Sequence, residues 1–222
     1  VHRVLVGAGA ARVNLGVRMA PAAFRSLGAW QVERVIVPGA EPRHFSFVPE
    51  LVEHMGVKGV YLHQGVEEIA QLDPGSPQAG LLRILRERRL PIEWISASTR
   101  IELGEESVIR LEASGPAWNV IVERRAGRDD AQAMVAVVQD ASGRVPSARV
   151  QIVASSAAGE GGVERVRRVS ESRMVIVSSG DLARGYHAQD PRVMWTARDG
   201  AIDVRLARGG EVVVRGFVDV QR

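Results

Sequence analysis

Five histidines, a scatter of carboxylates and no cysteine are what this chain offers for metal or acid–base chemistry. The histidines are His2, His44, His54, His63 and His187. No two of them stand at the i, i+2 or i, i+4 spacing that lets two imidazoles of one element grip one ion, and an HExxH helix is absent. Without cysteine there are no disulfides, thiolate metal sites or thiol nucleophiles, and the redox compartment stays open. A GxSxG nucleophile elbow and a phosphate-binding loop are absent too. The paired carboxylates Glu105-Glu106 and Asp129-Asp130 fall in turn-like stretches, where solvation is their expected role.

The elements that must position these groups follow from the apolar pattern. Residues 3–6 form a short buried strand that stops at Gly7-Ala8-Gly9, and a helix is expected over 19–27, with Pro21 in its first turn and Gly28 closing it. Residues 32–37 are β-branched and end at Pro38-Gly39, a second strand. Phe47, Val48, Leu51, Val52 and Met55 have helical spacing, and a strand is expected at 59–62. After the turn Asp73-Pro74-Gly75-Ser76-Pro77, Leu81, Leu82, Ile84 and Leu85 make one face of a helix whose other side is Arg83, Arg86, Arg88 and Arg89. From residue 92 the texture is β-rich, with strands expected at 108–111, 119–123, 134–138, 150–153 and 174–177, one helix over 162–172, and a closing hairpin of 201–206 with 211–217. The pattern reads as one α/β domain over residues 1–222, with strands in two sheets and helices outside them.

Gly7-Ala8-Gly9-Ala10-Ala11-Arg12 opens like a dinucleotide-binding turn, but Arg12 stands where the third glycine belongs. A plain tight turn is the expected reading.

Composition sets outer limits. The 222 residues are 45% hydrophobic and 25% charged, an ordinary globular balance that excludes disorder and collagen-like repeats. No apolar run is long enough to cross a bilayer and residues 1–25 lack signal-peptide features, so a soluble chain without an address is expected. Twenty-eight of the 29 basic residues are arginine, Lys58 being the exception. The net charge is nevertheless only +3, because Glu and Asp are interleaved with arginine almost everywhere. Solvated helix faces are the expected reading of the two densest groups, Arg83 to Arg89 and Arg165 to Arg173.

The order of motifs resembles the metallo-β-lactamase fold superfamily, and in particular the C-terminal domain of ComEC-type DNA uptake proteins. Val4-Leu5-Val6-Gly7-Ala8-Gly9 is similar to that family's "VLIDAG", and residues 20–28, Ala-Pro-Ala-Ala-Phe-Arg-Ser-Leu-Gly, to its "APALRALG" helix. Residues 38–49 then resemble its "THPHADHIGGLP" segment without a gap. Asn119 to Val122 is similar to "NNSLVL", Ala136 to Asp140 to "LLTGD", and Val150 to Ala158 sits where the family has "VLKVGHHGS". Gly185-Tyr186-His187 resembles "YGHPHP", and Thr196 to Val204 resembles "TDRDGAIRV".

The resemblance implies an α/β αββα four-layer sandwich, here apparently lacking the first strand, since the family's opening "DVGQGDA" segment is missing. It also implies a metal site for manganese or zinc, and there this chain departs from the pattern. Of the first motif only His44 remains, while Gly39, Glu41 and Arg43 hold the other ligand positions. Gly7 replaces an aspartate, and Ser155-Ser156 replace "HH". Asp140 and His187 match the family's bridging aspartate and late histidine, so Glu41, His44, Asp140 and His187 are the vestigial metal candidates. Two readings follow from the resemblance. One is a catalytically degenerate domain of a ComEC-like DNA uptake (competence) protein, without catalytic residues or cofactor, structural or contacting single- or double-stranded DNA, beside a membrane channel domain of the same parent. The alternative is an active metal-dependent phosphodiesterase or nuclease with a rewired site. For DNA contact the candidates are Arg83, Arg86, Arg88 and Arg89 together with Arg165, Arg167 and Arg168.

Overall fold

The computed structural model describes residues 4–7, 21, 24–25, 28, 30–97, 99–114, 116–125, 131–139, 145–154, 174–178, 193–195, 201–206 and 211–217. The chain is mixed α/β and divides into two compact units, Val1–Ala97 and Ser98–Arg222.

The first unit is built on a four-stranded, all-parallel sheet in the order β1-β2-β3-β4, with β1 Val4–Val6, β2 Arg34–Val37, β3 Gly59–His63 and β4 Ile92–Ile95. Parallel neighbours need long crossovers, and helices supply them. Pro21, Phe24 and Arg25 are helical between β1 and β2, α1 (Val48–His54) joins β2 to β3, and α2 (Gly65–Leu72) with α3 (Pro77–Glu87) joins β3 to β4. Alternation decides which side chains meet the helices. Val35, Val37, Val60 and Leu62, each at most 1% exposed, form one core with Val48, Leu51 and Met55 and with Leu81, Leu82 and Leu85. Arg34, Ile36 and Tyr61 alternate with these residues, and the Arg34 guanidinium donates to the Tyr61 hydroxyl at 3.1 Å. Burial, with Glu93 adding to it and Arg34 opposing, holds the Tyr61 phenol above its ordinary pKa.

Local chemistry sets the ends of the elements. Gly7, at φ 69°, ends β1, and its N–H donates to the Ile36 carbonyl of β2 at 2.9 Å; the rest of the expected turn lies outside the described residues. The Asp73 carboxylate accepts from the Gly75 N–H at 2.9 Å, which turns the chain into α3. Ser76 caps α3: its hydroxyl accepts from the Ala79 N–H at 3.2 Å, with Pro77 in the first turn. The other end of α3 closes as a Schellman turn, in which Leu90 N–H reaches the Leu85 carbonyl at 3.0 Å and Arg89 N–H reaches Arg86 at 2.9 Å. This turn requires a left-handed residue, and Arg89 takes it at φ 52°, the one non-glycine with positive φ among the described residues. A glycine there would avoid a cost of roughly 1–2 kcal/mol.

The second unit carries a seven-stranded sheet in the order β11-β10-β9-β8-β7-β6-β5. β5 (Arg100–Glu102), β6 (Ser107–Ser114), β7 (Ala117–Arg125) and β8 (Ala131–Val138) form an antiparallel meander. β9 (Val150–Ala154), β10 (Met174–Ser178) and β11 (Val193–Trp195) continue it in parallel. Arginine is tied to acid across the meander: Arg110 contacts Glu123 at 2.7 Å and also Glu112, and Arg125 contacts Glu102 at 2.8 Å. β12 (Ala201–Leu206) and β13 (Val212–Phe217) pair antiparallel, the expected closing pair of strands. No helix among the described residues is long and apolar enough to cross a membrane.

The strands expected from sequence at 32–37, 59–62, 108–111, 119–123, 134–138, 150–153 and 174–177 are all present to within a few residues, as are the helices around 47–55 and 81–85. α2, β4, β5 and β11 add to that reading. The expected helix over 162–172 lies outside the described residues.

Loss of the Ser76 hydroxyl removes a cap from a helix whose Leu81, Leu82 and Leu85 are core. Ser76→Ala is expected to lower stability by about 1 kcal/mol, measured by urea unfolding. An unchanged midpoint would show that the cap contributes nothing.

Candidate functional site

The carboxyl edge of the parallel sheet gathers the polar groups of the first unit. β2 leaves the sheet at Pro38-Gly39, and the chain then makes a 3₁₀ turn, Pro42–His44, before α1. The turn is closed by main-chain bonds, His44 N–H to the Glu41 carbonyl at 2.9 Å and Phe45 N–H to Pro42 at 3.0 Å. His44 is thereby carried inward to 5% exposure, while Glu41 stays exposed and Arg43 half-buried. β3 ends on the neighbouring line at His63, and the Gly65 N–H donates to His63 Nδ1 at 2.9 Å. With Nδ1 accepting, the neutral imidazole carries its proton on Nε2. Gln78, buried at the start of α3, donates from Nε2 to the Ala40 carbonyl at 2.8 Å and ties the β2 loop to the helix.

Gly65 is needed for close approach. A Cβ there would lie 3.0 Å from His63 Nδ1 and 3.1 Å from the Ala40 Cβ, so a side chain would wedge the two loops apart.

Electrostatics at this edge favour neutral imidazoles. Burial first, then the Arg43 guanidinium, lowers the His44 pKa to about 4; Glu41 opposes this and the His63 imidazole adds to it weakly. Burial also lowers His63, against the pull of Glu68. Arg43 pairs with Glu41 at 2.7 Å, and its Nε is buried without a partner among the described residues.

Among the described residues of this edge, a divalent metal would meet one neutral imidazole, His44, and one carboxylate, Glu41, that is already paired. A cation needs lone pairs, and the carboxylate best placed to give one, Glu41, is already engaged by a permanent cation. The unpartnered Arg43 Nε and the His63 Nε2–H are donors, which suit water or an anion rather than an ion of charge +2. Of the four vestigial candidates the structure places Glu41 and His44 in one turn; Asp140 and His187 lie outside the described residues, as do Ser155, Ser156, Arg165, Arg167 and Arg168. Arg83, Arg86, Arg88 and Arg89 are exposed along the last two turns of α3 and its cap.

Three groups escaped the sequence reading. His63 stood alone at a strand end, and the Gly two residues on was the signal for its buried Nδ1. Glu50, Glu53 and His54 bring one ligand atom each to within 4.8 Å of one another on the outer face of α1. Within that group His54 Nε2 lies 3.4 Å from the Glu50 carboxylate. Asn119, fully buried, accepts from the Gln139 N–H at 2.9 Å and fixes the end of β8 just before Asp140.

No family model and no curated protein matches the chain in sequence. Among solved structures it is similar to a HARLDQ-motif mutant of the metallo-β-lactamase from Cronobacter sakazakii, at 12% identity and a TM-score of 0.44 over 78% of this chain and 68% of that one. It is also similar to metallo-β-lactamase SMB-1 bound to 2-mercaptoethanesulfonate, at 12% identity and a TM-score of 0.42 over the same shares. The Rm3 metallo-β-lactamase follows at 14% identity and 0.37, over 70% of this chain and 61% of that one.

The buried neutral imidazole has a measurable consequence. His44 binds its proton near pH 6.5 when unfolded and only near 4 when folded, so stability is intact above pH 6.5 and falls as the pH drops towards 4. The expected loss is about 3 kcal/mol. NMR titration of His44 should show a midpoint near 4, and His44→Gln should lose this part of the acid sensitivity in urea unfolding. A midpoint near 6.5 would contradict the burial argument.

Proposed function

We propose that the chain is a non-hydrolytic domain of metallo-β-lactamase type, with a structural or DNA-contacting role in a ComEC-like DNA uptake protein attached to a bacterial membrane. The motif order supports the ancestry. The observation that carries the loss of hydrolysis is the Glu41–Arg43 ion pair at 2.7 Å, formed between two positions that the family's motif gives to metal ligands. A metal-dependent phosphodiesterase uses its ion to acidify a bound water and polarise a phosphoryl oxygen. At this edge a guanidinium takes the carboxylate instead, and its charge opposes entry of a divalent ion.

The remaining groups suit positioning. His44 and His63 are held neutral, Gln78 ties the β2 loop to α3, the Gly65 N–H holds the His63 ring, and Arg43 keeps a buried Nε donor without a partner among the described residues. Such an edge can hold a phosphate or a water without reacting with it.

Metal content decides between this reading and the rewired nuclease. Protein equilibrated with Mn and Zn and then desalted is expected to carry no stoichiometric ion by mass spectrometry and to leave a phosphodiester substrate intact. A stoichiometric ion lost in Asp140→Ala or His44→Ala, with hydrolysis lost alongside it, would restore the nuclease.

A further inference from the structure

We infer that the C-terminal end of α3 is a contact surface for the phosphate backbone of a DNA duplex, with Arg89 as one of its contacts. The inference rests on the DNA-contacting role proposed above and names the surface that would serve it. Four arginines, Arg83, Arg86, Arg88 and Arg89, are exposed within seven residues, and none forms an ion pair with an acid among the described residues. Glu87 is the one acid in the run, which leaves a local charge of +3. Four other described arginines, Arg43, Arg110, Arg124 and Arg125, are each tied to a glutamate.

The backbone supplies an independent observation. Arg89 occupies the left-handed position of the α3 Schellman turn at φ 52°, where glycine would fit without strain. Cations near a helix C-terminus favour the helix dipole, but Arg86 and Arg88 already do that from relaxed backbone. The strained residue is therefore the one whose side chain the helix does not need, and strained residues of this kind mark functional positions.

The chemistry of the patch selects its partner. Guanidinium forks bind phosphate bidentately, and Arg83 and Arg86, three residues apart, stand on one side of the helix. No aromatic residue lies between Pro77 and Glu93 to stack on single-stranded bases, and the patch shows no exposed large apolar side chain to enter a lipid interface. Contact through phosphates alone gives binding that is independent of base sequence and steep in salt.

The test is fluorescence anisotropy of a labelled mixed-sequence duplex with the whole 222-residue chain. Four phosphate contacts predict a slope of log affinity against log salt near −3.6, or a roughly 100-fold loss between about 50 and 200 mM. The triple variant Arg83→Gln, Arg86→Gln, Arg88→Gln should flatten that slope by about three units, and Arg89→Gly by about one. Arg89→Gly should also raise Tm, by about 2–4 °C, because the strain is relieved. Stability up with binding down is the signature that a purely structural arginine would not produce. A wild-type chain that ignores the duplex overturns both this surface and the DNA-contacting role. Duplex binding whose slope is the same in the variants overturns the surface and leaves the role standing. A lower Tm in Arg89→Gly, or binding to phosphatidylglycerol vesicles in place of the duplex, likewise overturns the surface.

Discussion

The parallel pairing of β2 with β3 is the constraint on which the first unit depends. Val35, Val37, Val60 and Leu62 face the helices at 1% exposure or less. Burying four such side chains is worth on the order of 6–12 kcal/mol, which exceeds the roughly 3 kcal/mol that a buried neutral imidazole forfeits in acid. The aliphatic pairs therefore dictate where the strands end, and His44 and His63 follow to the same edge. Nothing in that argument requires either histidine to react. Their burial is a consequence of where the chain must turn.

What the edge can do is then decided by charge. Arginine does not release its proton at any physiological pH, so the cation at Arg43 is permanent and the local field is that of a guanidinium with a carboxylate beside it. A histidine or aspartate at the same place would offer a lone pair. Arg43 puts a donor there instead, and donors orient anions and waters. Gln78 and Gly65 complete the arrangement by tying the loops together, one through a side-chain amide and the other through the absence of a side chain.

Much of this was legible in the sequence, and the reasons differ from element to element. β2, β3, β7 and β10 announce themselves as β-branched runs, and α3 as a leucine face set against an arginine face. α2 was not legible, because it is only eight residues long, Gln64 before it makes no side-chain cap, and Ile69 and Leu72 are exposed. β5 and β11 are three residues each, too short for any period to show. Strand order is a matter of long-range pairing and leaves no local trace, so the seven-stranded sheet, half meander and half parallel, could not be read in advance. At the edge itself the departure of Gly39, Glu41 and Arg43 from the motif that the segment resembles was visible, but that Glu41 and Arg43 pair with each other is a fact of the folded turn. His63 was overlooked because a lone histidine closing a strand carries no spacing to recognise.

The described arginines of β6 and β7 and those of α3 are used differently, and net charge conceals the difference. On β6 and β7, Arg110, Arg124 and Arg125 each have a glutamate within 4 Å, so recruiting one to an outside phosphate means first breaking a pair. That exchange gains little, since one anion replaces another. On α3 the guanidiniums are exposed and have no such partner among the described residues. A phosphate there displaces water and counterions, and the release of counterions is what drives association with a polyanion. The formal charge of +3 counts both kinds alike. Pairing, which only the folded chain reveals, separates a surface that is already neutralised from one that is still available.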